Sequence, residues 1–138
     1  MKHEMKARLA ENHEGQIVRD LMLQQYSDKW GELDWSTIKP YWIAGELDGE
    51  VKACVQIVVG KPIGMLEFLC LDDSLSRGQK AMLIKEMHKF AMAGLYGAGS
   101  SAVVGHIPYE LKSWKKILKR RWGGKMLTGG NLFMKRFA

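Results

Sequence analysis

The chain has 138 residues, room for one compact domain rather than two. Its 46% hydrophobic content can fill a core, its 26% charged content is ordinary, and no apolar run approaches the ~18 residues of a membrane span. A formal net charge of +6 favours anionic partners, whether nucleic acid, coenzyme phosphates or acidic proteins, without choosing among them.

The N-terminus, Met1-Lys2-His3-Glu4-Met5, has no apolar signal-peptide core, so cytoplasmic residence is the expectation. Met5–Ala10 alternates apolar and polar residues, as a short first strand does. Glu11–Gly15 is a turn that opens a helix. Ile17, Val18, Leu21 and Met22 then recur at helical spacing up to about Tyr26. Trp30 and Trp35 mark a less regular stretch, with a short helix over Asp34–Ile38 that Pro40 ends.

Asp48-Gly49 is the clearest local signal. Flanked by Tyr41–Leu47 and Val51–Val59, it fits a two-residue hairpin turn whose central residues both need positive φ. Gly60–Gly64 reads as a second turn, leading to a strand over Met65–Leu71. Cys54 and Cys70 sit in these strands, outside any CxxC or CxxH spacing. Buried free thiols are expected, with no zinc.

The stretch from Leu66 to Phe90 carries the chemistry. The apolar run Leu66–Leu71 ends in Asp72-Asp73-Ser74-Leu75-Ser76, then Arg77-Gly78-Gln79-Lys80-Ala81 opens a helix running to about Ala93, broken by Gly94, Gly97 and Gly99. A strand, loop and basic, glycine-bearing helix start aims backbone N–H groups at an anion, so a phosphate-bearing ligand is the first suspicion. The plainer alternative is an ordinary helix start capped by Ser74 or Ser76.

Ala102–Ile107 follows as a short buried strand. A helix joining it to Leu66–Leu71 makes the two strands parallel by a right-handed crossover. Glu110–Arg121 reads as a basic amphipathic helix, with Leu111, Trp114 and Leu118 inward and Lys112, Lys115, Lys116, Lys119 and Arg120 outward. Lys125–Thr128 and Leu132–Phe137 form a closing hairpin. The fold class is therefore mixed α/β, a single mostly antiparallel sheet with helices on both faces, in one domain over residues 1–138.

This order, with these residues, resembles the GCN5-related N-acetyltransferase superfamily over nearly the whole chain. Tyr41–Val59 is similar to that family's central hairpin, and Leu69-Cys70-Leu71-Asp72-Asp73 to its strand leading into the coenzyme loop. The family's loop pattern is Gln/Arg-x-x-Gly-x-Gly/Ala. Ser76–Ala81 keeps the final Ala81 without a gap; a loop one residue shorter aligns Arg77-Gly78. The family's asparagine after the next strand is replaced by the His106-Ile107-Pro108 neighbourhood. Where many members carry a tyrosine on the last helix, Leu118 or Lys119 stands. The length and the basic, aromatic-rich C-terminal half also look like small tailed-phage proteins of this fold, some of them virion components.

The resemblance implies an acetyl-CoA-dependent N-acetyltransferase acting on an amine-bearing small molecule or protein. Amides of Gly78, Gln79, Lys80 and Ala81 would hold the diphosphate, with Arg77 and Lys80 adding charge. By analogy, the amides of Leu69 and Leu71 would serve the thioester carbonyl and pantetheine arm.

Amine acetylation needs a base, an acid and an N–H donor at the carbonyl. Glu67, a carboxylate in an apolar strand, is the expected base; strand alternation puts it on a face with Met65, Leu69 and Leu71. His106, at a strand end, is placed to shuttle protons. The four histidines are too scattered for a metal site. The Trp30–Tyr41 segment and closing hairpin would line the acceptor pocket. Two other readings stay open: an accessory protein of a phage particle, in the virion or host cytoplasm, that kept the fold without the chemistry, and a basic module binding nucleic acid weakly through the C-terminal helix. Oligomerisation is left open, and no membrane partner is expected.

Overall fold

A computed structural model describes residues 3–26, 41–106, 125–127 and 132–137. The expected helices at 34–38 and 110–121, and the Trp30–Tyr41 pocket segment up to Pro40, lie outside these residues. Among the described residues, seven strands form one sheet in the order β1-β2-β3-β4-β5-β7-β6. They are β1 (Met5–Leu9), β2 (Tyr41–Leu47), β3 (Glu50–Val58), β4 (Ile63–Leu71), β5 (Ala102–His106), β6 (Lys125–Leu127) and β7 (Leu132–Arg136). All neighbours are antiparallel except β4 and β5, which run parallel as the crossover rule requires.

Helix α1 (Gly15–Tyr26) covers one face and helix α2 (Arg77–Gly97) the other. On the α1 face, Val18, Leu21 and Met22 pack over Cys54 and Cys70, with Trp42, Val51 and Phe68 at the margin. On the α2 face, Leu83, Ile84, Met87, Ala91 and Leu95 pack over Ile43, Ala53, Val55, Ile57, Leu66 and Val103. The alternation of β3 explains the division: Ala53, Val55 and Ile57 point one way and Cys54 and Gln56 the other.

The β2–β3 hairpin turns at Asp48 (φ 51°) and Gly49 (φ 84°), the paired left-handed conformations the Asp-Gly signal demands. Strand β4 begins at Ile63, two residues before the sequence reading. Helix α2 passes Gly94 and runs through Gly97, because fully buried Leu95 anchors its last turn while Gly94 and Gly97 lie on the exposed side. The stop is Gly99, at φ 96°, rather than any of the three glycines equally. Among the described residues, no helix is long and apolar enough to cross a membrane.

Candidate functional site

The centre of the sheet is irregular at one point. Along β3 and β4, Gln56 pairs with Glu67 and Cys54 with Cys70. Two steps on β3 therefore match three on β4, and the extra residue is a β-bulge. Phe68 takes φ 55°, a conformation that costs a bulky residue roughly 1–2 kcal/mol and persists only where the surroundings enforce it. Phe68 packs with the α1 cluster, and the Cys70 thiol lies 3.2 Å from the Phe68 carbonyl oxygen and 3.3 Å from Met22 Sδ.

The bulge corrects one sequence expectation. Leu69 and Leu71 do not share a face with Glu67; both pack with the α2 cluster. Glu67 instead shares the α1 face with Gln56, its cross-strand partner, and Gln56 pairs in turn with Trp42. Trp42, Gln56 and Glu67 thus form one row across three strands. Gln56 is buried, while Trp42 and Glu67 are half-buried.

Past the bulge the backbone phase also changes. The Asp72 amide donates to the Lys52 carbonyl at 2.8 Å, so Asp72 faces β3. By alternation the amides of Leu71 and Leu69 point the other way, toward the side on which β5 lies. The parallel ladder on that side covers only Ile63–Leu66, opposite Ala102–Gly105. His106, the next residue of β5, is level in register with Glu67, and its backbone pairs with Leu132 of β7.

Beyond β4 the chain turns tightly. Asp72 Oδ1 accepts from the Ser74 amide at 2.9 Å and the Ser74 hydroxyl at 2.5 Å, and the Leu75 amide donates to the Asp72 carbonyl at 3.1 Å. These bonds hold the Asp72 carboxyl below the usual carboxylate range, the Ser74 hydroxyl contributing most. Buried Leu75 then pins the loop to the core.

Ser76, not Ser74, caps α2. Its hydroxyl accepts from the Gln79 amide at 3.1 Å, while Gln79 Oε1 accepts from the Ser76 amide at 2.9 Å. The Lys80 amide donates to the Ser76 carbonyl at 2.9 Å. Of the loop amides considered from sequence, those of Gln79 and Lys80 are thus engaged within the helix cap, and the Ala81 amide is the next in the helical ladder. Arg77 and Gly78 occupy the two first-turn positions whose N–H groups point outward along the helix axis. Both residues are exposed, and a Cβ built on Gly78 meets nothing within 4 Å.

The sequence brought forward Glu67, Leu69, Leu71 and the α2 start; Glu67 follows directly on the end of the β4–β5 ladder, and Leu69 and Leu71 lie between it and the loop that leads to α2. It missed Gln56 and Trp42, which an alternating strand pattern does not single out, and Gln24, whose contacts join α1 to the loop after β4. Cys54 and Cys70 are buried free thiols on adjacent strands, and a hydrogen bond with Cys70, together with burial, pushes the Cys54 thiol well up. Among the described residues, no group of histidine, cysteine and carboxylate side chains could hold a metal.

No protein-family model matches the sequence, and no curated protein matches it significantly. Solved structures do match, and they define the class: the chain has the acyl-CoA N-acyltransferase fold of the GCN5-related N-acetyltransferases. A GNAT-family acetyltransferase from Staphylococcus aureus Mu50 superposes with a TM-score of 0.72 at 7% identity, over 98% of this chain and 100% of its own. A probable acetyltransferase from Staphylococcus epidermidis gives 0.71 at 11% identity, over 98% and 100%. A GNAT-family acetyltransferase from Brucella melitensis, solved in complex with acetyl-CoA, gives 0.63 at 17% identity, over 99% and 90%.

Proposed function

We propose that the protein transfers an acetyl group from acetyl-CoA directly to an amine. One observation carries this reading: the bulge at Glu67–Phe68, where the parallel ladder to β5 stops, aims the Leu69 and Leu71 amides toward the β5 side while leaving Glu67 on the opposite face. Bulges and strained backbone of this kind cluster beside binding sites, and here they stand at the point where the ladder ends.

The roles follow from position. The acyl donor supplies an activated thioester. The Leu69 amide donates to its carbonyl oxygen, where negative charge develops during attack, and the Leu71 amide holds the pantetheine arm. The Arg77 and Gly78 amides and the positive end of α2 receive the diphosphate, with the Arg77 and Lys80 side chains adding charge-assisted bonds. The cap formed by Ser76 and Gln79 fixes the direction in which that turn points, so the Gln79 and Lys80 amides act by holding the turn. Ala81, half-buried in the next turn, packs the helix start against the core.

On the other face, Glu67 takes the proton from the acceptor ammonium so that the neutral amine can attack the thioester. The thiolate leaves with the electron pair of the C–S bond. His106, level with Glu67 across the end of the ladder, is the proposed proton carrier to it. A neighbour of the same fold solved in complex with acetyl-CoA supports the choice of donor.

Calorimetry with acetyl-CoA, paired with thermal unfolding, tests the reading. Heat of binding and a raised Tm are expected; neither at millimolar coenzyme ends it.

A further inference from the structure

The Gln24 carboxamide, near the end of α1, reaches across to the loop between β4 and α2. Its Nε2 donates to Asp72 Oδ2 at 3.5 Å, and its Oε1 accepts from the Asp73 amide at 3.2 Å. A carboxamide donates from its nitrogen and accepts at its oxygen, so one side-chain tip serves both partners. Asp72 uses its other oxygen for Ser74, so one carboxylate is shared between α1 and the turn entering α2. Its low pKa agrees with this acceptor role.

The chemistry of the loop makes this arrangement informative. Two aspartates next to the proposed diphosphate position oppose an anion by charge alone. Asp72 earns its place only by geometry, through the three bonds of its carboxylate and the Leu75 bond to its carbonyl, which set where Ser76 and the first turn of α2 begin. We propose that Gln24 and Asp72 are positioning residues for the coenzyme diphosphate, clasping the β4–α2 loop to α1 so that the Arg77 and Gly78 amides are held in line. The inference rests on the acetyl-CoA reading above and extends it to residues on a different element.

The test compares two ligands, acetyl-CoA and S-acetylpantetheine, which lacks the diphosphate. Gln24→Ala should raise the Kd for acetyl-CoA about threefold to tenfold, the worth of one or two exposed hydrogen bonds. The Kd for S-acetylpantetheine and the Tm should stay with those of Gln16→Ala, a control on the same helix that loses only the local Gln16–Asp20 bond. Asp72→Ala should give a loss of similar kind, and the Gln24→Ala/Asp72→Ala double variant should lose less than the product of the two single losses, because Gln24 acts through Asp72. Equal losses for both ligands, no loss for either, or a double-variant loss equal to that product overturns the inference while leaving the coenzyme reading standing. A wild-type chain that binds neither ligand overturns that reading, and this inference with it.

Discussion

Arg8 holds Glu14 with both ends of its guanidinium, Nη1 to Oε1 at 2.6 Å and Nη2 to Oε2 at 2.8 Å. Arg8 Nε also lies 3.3 Å from Glu46 Oε2, so one side chain ties β1, β2 and the turn that opens α1. The Glu11 amide donates to Glu14 Oε1 at 2.9 Å, completing the cap. The direction of α1, and hence the reach of Gln24, begins at this buried carboxylate.

The pair makes acid stability predictable. Arg8 holds the Glu14 carboxyl down at about 2, from 4.5. A depressed carboxylate stabilises the fold fully above its unfolded pKa and loses that contribution as pH falls through the folded one. Stability should therefore fall between about pH 4.5 and pH 2, by up to ~3 kcal/mol from this group. Glu14→Gln should flatten that part of a urea-unfolding series across pH and lower stability at pH 7. An unchanged pH profile would assign the acid lability elsewhere.

Two glycines should respond in opposite senses. A Cβ on Gly64 would stand 2.7 Å from Leu95 Cδ2 and 3.0 Å from Ser100 Oγ, where β4 meets the last turn of α2. Gly64→Ala should cost about 1–3 kcal/mol by overpacking. Gly78 has open space, so Gly78→Ala should leave the fold as stable or improve it by up to ~1 kcal/mol. Chemical denaturation of both variants checks the pair, and acetyl-CoA affinity of Gly78→Ala then reports on the ligand alone. On the proposed function that affinity falls, because the new methyl lies where the diphosphate approaches.

The β2–β3 hairpin was legible because Asp-Gly names its own backbone conformation. The parallel β4–β5 pair was legible because handedness leaves one outcome for a strand, helix and strand in one sheet. Glu67 could be picked out as a charge within an apolar run. Its face could not be assigned correctly beyond Phe68, because nothing in Leu66–Leu71 signals a bulge: the residue at positive φ is a phenylalanine, held there by tertiary packing rather than by its own preference. The Gln24–Asp72 contact joins residues 48 positions apart, and periodicity within either element carries no trace of it. The end of α2 was misjudged for a related reason. Glycine lowers helix propensity by an amount that the burial of one leucine exceeds.

The two thiols offer a check on the core between α1 and the sheet. Cys54 and Cys70 are directly opposed and fully buried. Neither sulfur is within reach of a dissolved reagent while α1 covers the sheet. A thiol reagent should therefore label neither residue until the protein unfolds, and mass spectrometry after a denaturant series should show both labelled together. Rapid labelling of native protein would mean that the α1 face opens far more readily than this packing implies.

The sharpest test of the chemistry is Glu67→Gln. The amide is nearly isosteric, so the row with Gln56 and Trp42 and the bulge beside it should persist. Glutamine cannot accept the ammonium proton, and general-base catalysis typically contributes 10²–10⁴-fold, so turnover should drop by about that factor. Acetyl-CoA affinity should not move, since the coenzyme is assigned to the amides of Leu69, Leu71, Arg77 and Gly78 rather than to this carboxylate. A loss of affinity equal to the loss of turnover would place Glu67 in binding instead. Unchanged turnover would remove it from the mechanism and shift attention to His106, the titratable residue level with it on β5.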